Sequence, residues 1–529
     1  MGQEEDVTRI EAGLANIRRG GLGTTIQRAI TARNGAYALA CIVLLSLAFR
    51  VHLSGECSLW LDEATTRRGI QKPWPKILAG PSKVHPPLMY LLVAGAVEVL
   101  GKSETALRSV SLFFGCVLLV AIYELCLELG LTVGRALIVV GTIALSPFFI
   151  RHATEARHYA MLAAFVTLAT TRALRILRGS TKTRDLVGFA VAVLAASFTQ
   201  YFGLAYSLAL VATVAVGLAP AWKQSRPMRR VALIGSLIGL LAALGFDAVR
   251  AAAVERSFEP SERAAHALNT ALLLEFPREF SLFTNETFAM VIEPALALVG
   301  IALLSFRLRG LARLLPLGLG VVPCVAALFI SSDHFVSARY LAPSWVFYHL
   351  GACVALLAAV DLLRRGRALG ARAAWLAPQV GWLLLACVVI ARLSEFPKGF
   401  GAGGEDYRGL QRYFLANLGA DSRLVACFGS FGKVLFGKEY PVGSRPISLE
   451  RFRPVRGVDR YLIVELHIEG PERTAMLESL VERHFGLSRQ AWRSVPLVPV
   501  PHSRYQPPVL ARLVHLPRHR VPARRKPRR

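Results

Sequence analysis

Long apolar runs separated by short polar stretches fill residues 35–391 of this chain, and beyond them the pattern turns mixed. The runs cover 35–53, 85–100, 106–129, 135–150, 159–171, 186–201, 202–221, 231–249, 288–306, 314–331, 341–363 and 373–391. About twenty apolar residues cross the hydrocarbon core of a bilayer, so most of these runs predict membrane-spanning helices. Residues 1–34 are polar and carry Arg9, Arg18, Arg19, Arg28 and Arg33, which predicts a cytoplasmic N-terminal segment. Residues 35–393 then form a transmembrane domain. Residues 394–510 hold strand-like runs at 423–428 and 461–466 and helix-like patterns at 407–418 and 471–484, predicting a small α/β domain. Residues 511–529 are basic and proline-containing and predict a disordered tail.

The run at 85–100 decides the orientation of all that follows. If it spans, the basic clusters Arg172/Arg175/Arg178/Lys182/Arg184, Lys223/Arg226/Arg229/Arg230, Arg307/Arg309/Arg313 and Arg364/Arg365/Arg367/Arg372 fall outside the cell. If it lies on the outer surface as an interfacial helix, all four are cytoplasmic, as the positive-inside rule requires. The segment is short, carries Glu98 and opens on Pro86-Pro87, a good helix start. The expectation is therefore an α-helical integral membrane protein of the cytoplasmic membrane with about eleven spans and outer juxtamembrane helices. Its N-terminus is inside, and the C-terminal α/β domain is extracytoplasmic. Long domains translocate largely regardless of charge, so a basic outer domain does not break the rule.

Composition agrees. The chain has 529 residues, 54% hydrophobic and 18% charged, too apolar for a soluble protein of this size. The net charge of +27 sits between apolar runs and at the two ends. That pattern fits membrane topology and anionic lipid, not nucleic acid. The eight cysteines show neither a CxxC motif nor a Cys/His zinc spacing, so neither a disulfide framework nor a structural metal is signalled.

The orientation gathers the chemistry-bearing residues on the outer side. First comes Asp62-Glu63, just beyond the first span and beside Trp60. Adjacent carboxylates diverge on most backbones, so two roles are expected, one as a general base and the other as a structural or substrate contact. Lys83 and His85 enter the interfacial helix, where an N-terminus favours anions. In the loop before the span at 159, Arg157 offers a planar fork for a phosphate, with Glu155 to orient it and Tyr159 following. Gln200 and Tyr201 lie at the outer end of another span, and Arg339 and Tyr340 at a third. Each signal has a bland reading: a solvated acidic loop with an interfacial Trp, a capped helix, a surface salt bridge, belt aromatics. His266 and His334 read as solvated loop histidines.

The order Trp60-Leu61-Asp62-Glu63-Ala64, His85-Pro86-Pro87-Leu88, Ser146-Pro147, Glu155-Ala156-Arg157-His158-Tyr159-Ala160, Thr199-Gln200-Tyr201-Phe202 and Arg339-Tyr340-Leu341-Ala342-Pro343 resembles bacterial protein O-mannosyltransferase-like glycosyltransferases. That group belongs to the GT-C superfamily and includes the lipid A aminoarabinose transferases. The resemblance covers roughly residues 35–391. It implies a membrane enzyme with its site in the first outer loops, a polyprenyl-phosphate-linked sugar donor and inversion at the anomeric carbon. It casts Asp62 as the base and Arg157 and Arg339 as residues near the donor. Gln200 departs from the pattern, since many members carry His there. The Cys/Glu zinc ligands of some aminoarabinose transferases have no counterpart, so no required metal is expected, with a divalent cation left open.

The expected function is sugar transfer from a polyprenyl phosphate to a glycolipid, polysaccharide or protein acceptor at the outer face, in contact with membrane lipids and without nucleic acid. The site set is Asp62 and Glu63 for catalysis, Arg157, Arg339, Lys83 and His85 for the donor phosphate, and Glu155, Tyr159, Gln200, Tyr201 and Tyr340 lining the substrate. Two rivals remain: a lipid-sugar transporter or flippase, and a non-catalytic lipid-sugar binding protein. A transporter needs ionisable residues along a path through the spans, whereas most charges here lie at span ends.

Overall fold

The computed structural model describes residues 33–79, 85–219, 288–330 and 338–365, short pieces between 236 and 280, and several segments between 413 and 515. Among the described residues, six helices are long and apolar enough to cross a membrane, including α1 (Arg33–Glu56), α5 (Glu104–Glu128), α8 (Tyr159–Leu177) and α10 (Tyr201–Leu218). The others cover Met290–Arg307 and Ala338–Leu362. A seventh candidate is the bent pair α6 (Val133–Ala144) and α7 (Pro147–Thr154), which meet at 65°. Pro147 begins the second half, where its missing N–H costs nothing. The sequence reading at 135–150 as one span thus becomes two helix pieces, and α7 takes in Arg151–Thr154 of the expected outer loop. The expected spans at 231–249 and 373–391 lie largely or wholly outside the described residues.

Two compact units divide the chain. One comprises Met1–Phe49, Phe113–Ile150 and Tyr159–Ala391; the other comprises Arg50–Leu112, Arg151–His158 and Arg392–Arg529.

In the first unit, α8 is buried along most of its length, and apolar and small residues dominate its sequence up to Arg172. It packs on α9 (Thr183–Ser197) and on α10. Further on, α11 (Glu293–Arg307) and α12 (Ala342–Arg365) form the most extensive helix pair among the described residues. Gly300 faces the Gly351 carbonyl and Gly351 faces the Ala297 carbonyl so closely that neither position has room for a Cβ. Small residues let membrane helices approach in this way. At the ends of α5 and α8, Glu128 accepts hydrogen bonds from Arg175 (2.7 Å) and Arg178 (2.9 Å), and Asp185 accepts from Arg172 (3.2 Å).

Among its described residues, the second unit carries three short helices between α1 and α5. They are α2 (Leu61–Ile70), α3 (Trp74–Leu78) and α4 (Leu88–Leu100). At 13 residues, α4 reaches only about 20 Å, short of a ~30 Å hydrocarbon core. Ile77, Tyr90 and Ala94 form a small buried core shared by α3 and α4, with Ile70 of α2 packed against it.

Near the C-terminus of the chain, four strands among the described residues pair in the order β2-β1-β3-β4, with β1 at Ser422–Ala426, β2 at Ile447–Ser448, β3 at Arg460–Val464 and β4 at Ala511–His515. β1 runs parallel to β2 and β3, while β4 is antiparallel to β3. The helix Pro471–Phe485 follows β3. The strand at Ala511–His515 corrects the sequence boundary, because these residues were expected to begin the disordered tail. Ala511 and Val514 are buried, and the pairing with β3 supplies backbone partners that a tail lacks.

Candidate active site

The second unit brings together residues from four separate stretches of chain. The centre is Glu63, fully buried in the first turn of α2. Arg108, in the second turn of α5, grips it at two points, Nε to Oε1 at 2.7 Å and Nη2 to Oε2 at 2.6 Å. The remaining Arg108 donors reach the carbonyls of Ser54 (2.7 Å), Cys57 (2.7 Å) and Ser58 (3.0 Å), at and beyond the C-terminal end of α1. Helix ends leave such carbonyls without intrahelical partners, so all five guanidinium donors are used where acceptors are in excess. Glu63 also accepts the backbone N–H groups of Trp60 (3.3 Å) and Ala156 (2.8 Å). The last of these ties the 151–158 segment to the start of α2. Ser111 adds a second tie, donating to the Arg157 carbonyl at 2.9 Å.

This frame aims the neighbouring side chains. The Asp62 carboxylate is 25% exposed and lies 3.7 Å from the Arg157 guanidinium, which is 5% exposed. Arg157 Nη2 lies 2.8 Å from His85 Nε2. Arginine has only donors, so that nitrogen of His85 is the acceptor and the ring proton sits on Nδ1. The His85 and His158 rings lie 4.4 Å apart. Glu155, also buried, accepts from Arg151 Nε at 3.1 Å and pairs with His152 at 3.3 Å, while its backbone oxygen accepts the Arg157 N–H at 2.7 Å.

Asp62, Glu63, His85, Glu155 and Arg157 therefore fall in one place, and the two carboxylates have separate surroundings. Arg157 and Glu155 are buried, not members of a surface salt bridge. Lys83, His266 and His334 lie outside the described residues.

The remaining candidates belong to the first unit. Tyr340 lies 6.2 Å from Tyr159 and 6.2 Å from Phe202 between ring centroids, and the Arg339 guanidinium lies 5.7 Å from the Tyr340 ring centre. Gln200 caps the start of α10 and is buried, with its side-chain oxygen lacking a hydrogen-bond partner among the described residues. Tyr201 begins that helix, half-buried. Sequence reasoning passed over Arg108 and His158. Arg108 sits inside an apolar run, and that is the signal available in hindsight, since a charge there needs a partner. His158 adjoins Arg157 but bears no motif of its own. Among the described residues, no group of three or more His, Cys, Asp or Glu side chains is placed to hold a metal ion.

No protein-family model and no curated protein matches the sequence. Solved structures do match. ArnT from Cupriavidus metallidurans in the apo state has 12% identity and a TM-score of 0.50, over 91% of this chain and 98% of that one. The same protein bound to undecaprenyl phosphate has 13% identity and a TM-score of 0.46, over 90% and 97%. The Archaeoglobus fulgidus oligosaccharyltransferase tethered with an acceptor peptide has 14% identity and a TM-score of 0.45, covering 78% of this chain. This chain spans 60% of the length of that oligosaccharyltransferase. The likeness to apo ArnT shows the fold. The protein is a helical, multi-pass membrane protein with the fold of that structure.

Proposed function

We propose that this protein is a membrane glycosyltransferase that moves a sugar from a polyprenyl-phosphate-linked donor to an acceptor hydroxyl at the extracytoplasmic face, with inversion. The observation that carries the reading is the juxtaposition of Asp62 with Arg157 at 3.7 Å, held by the buried Glu63–Arg108 pair. A partly exposed carboxylate beside a forked cation is what this chemistry requires. The acceptor oxygen attacks the anomeric carbon while Asp62 removes its proton. The bond from that carbon to the phosphate oxygen breaks, and Arg157 stabilises the charge gathering on the leaving phosphate.

The loose Asp62–Arg157 contact also suggests an order of events. An arriving phosphate competes for the Arg157 fork and releases the Asp62 carboxylate for the acceptor. His85, whose Nε2 accepts from Arg157, serves better to aim that guanidinium than to bind phosphate itself. Glu63 positions, because its two oxygens are already engaged. Arg339, with Tyr340, Tyr159, Gln200 and Tyr201, is assigned to the donor and substrate on the sequence pattern, and no metal is assigned a role.

The test follows labelled sugar from polyprenyl phosphate to total membrane acceptors. Asp62→Asn keeps shape and removes basicity, so protein level and donor binding persist while transfer falls ~10²–10⁴-fold. Near-normal transfer by Asp62→Asn defeats the mechanism. Donor binding without transfer in the wild-type protein makes it a lipid-sugar binding or translocating protein instead.

A further inference from the structure

We infer that the cleft walled by α2, α3, α4 and the start of α5 binds an anionic sugar unit of the acceptor, an assignment that rests on the glycosyltransferase reading above. The cleft holds about 370 Å³ and is lined by Leu59, Ile70, Ile77, Ala94, Val97 and Leu107 on its apolar side. That volume lies in the range of small-molecule sites, which are apolar with a few placed polar groups.

The polar lining is specific in kind. Trp74 is 44% exposed at the cleft, and its Nε1–H donates to Glu98 Oε1 at 2.9 Å. The bond sets the orientation of the indole. A rigid aromatic surface suits the C–H face of a pyranose, and the second Glu98 oxygen and the Gln71 amide suit its hydroxyls. Three cations, Arg67, Lys72 and Lys102, share the lining with two carboxylates, Glu98 and Glu104. The cations outnumber the carboxylates by one, and that balance favours a ligand bearing a phosphate or carboxylate.

Position ties the cleft to the reaction. α2 carries Asp62 in its first turn and Arg67 and Ile70 in the cleft wall. Five residues of helix separate Asp62 from Arg67, about 7.5 Å along the axis. Leu59 precedes the acidic pair by three residues, and Leu107 adjoins the Arg108 that fixes Glu63. Arg157, assigned to the donor phosphate, and His85, which aims it, do not line this cleft, which leaves it to the other substrate.

The experiment uses the full-length protein in detergent with two readouts. In saturation-transfer NMR the probe is glucose 1-phosphate. A signal is expected in the wild type and in Asp62→Asn, with a several-fold loss in Trp74→Leu and in Lys72→Ala/Lys102→Ala. No signal in the wild type, or equal signals in all four proteins, overturns the inference. So does a signal displaced by phosphatidylglycerol but not by methyl glucuronide, which makes the cleft a lipid-headgroup site. The second readout compares hydrolysis of the donor by water with transfer to membrane acceptors. The cleft variants keep hydrolysis and show a several-fold rise in acceptor KM; an unchanged KM overturns the inference. A wild type that neither hydrolyses nor transfers defeats the glycosyltransferase reading, while the NMR result still decides the cleft.

Discussion

Arg108 and Glu63 are 45 residues apart in sequence and meet as a two-point ion pair, at 2.7 and 2.6 Å, with both side chains buried. The pair closes three stretches of chain around one point: the end of α1, the start of α2 and the 151–158 segment. Asp62 and Arg157 are mounted on that frame. Their geometry depends on two residues that need never touch substrate.

Removing one member of this pair leaves a buried charge without its partner, which costs about 3–5 kcal/mol. Arg108→Met and Glu63→Gln therefore lower the thermal unfolding midpoint of the detergent-solubilised protein. The double variant Glu63→Leu/Arg108→Met is less destabilised than the sum of Glu63→Leu and Arg108→Met, since no charge is stranded. Additive losses in this cycle would show that the two side chains do not act as a unit.

Arg157→Lys keeps the charge and loses the planar fork. Donor KM rises and transfer falls, while the unfolding midpoint stays near wild type. Arg157→Ala loses more of both activities. Unchanged donor affinity and rate in purified Arg157→Ala would remove Arg157 from the site.

His85 offers Arg157 an acceptor at 2.8 Å. Glutamine retains an acceptor oxygen, and phenylalanine retains only the ring volume. His85→Gln should keep most of the donor affinity and His85→Phe should lose it, both as folded proteins. Equal affinities in the two variants would assign His85 to packing.

In the first turn of α9, burial alone would raise the pKa of Asp185. The Ser180 hydroxyl and the Arg175 and Arg172 guanidinia outweigh it and hold the carboxyl below its ordinary range. A depressed folded-state pKa adds stability above the unfolded value, and that stability disappears as pH falls through the folded one. Asp185→Asn should thus unfold at a lower temperature than wild type at pH ~7, with the gap closing below pH ~4, the ordinary Asp range. A gap independent of pH would show that charge is not its cause.

With 13 residues, α4 is too short to span. Cysteines introduced at 104–105 should react with a membrane-impermeant reagent from outside, and cysteines at 181–183 should not. The reverse pattern would invert the orientation of every later helix.

Much of this protein was legible in its sequence because a bilayer imposes a simple code. Backbone groups in hydrocarbon must bond internally, so spans are helical and apolar, and α1, α5, α8 and α10 appear where long apolar runs stand. Helix breakers are local too, as Pro147 shows at the bend between α6 and α7. Asp62, Glu63 and Arg157 stood out as polar residues next to spans. What tertiary structure alone decided is who holds whom. Nothing in the run at 106–129 says that Arg108 meets Glu63, because that contact arises from packing between stretches tens of residues apart. The different surroundings of two adjacent carboxylates, the acceptor role of His85 toward Arg157 and the cleft beside Trp74 have the same origin. Hydrophobic pattern specifies which segments enter the membrane; side-chain partners depend on distances that exist only once the helices have packed.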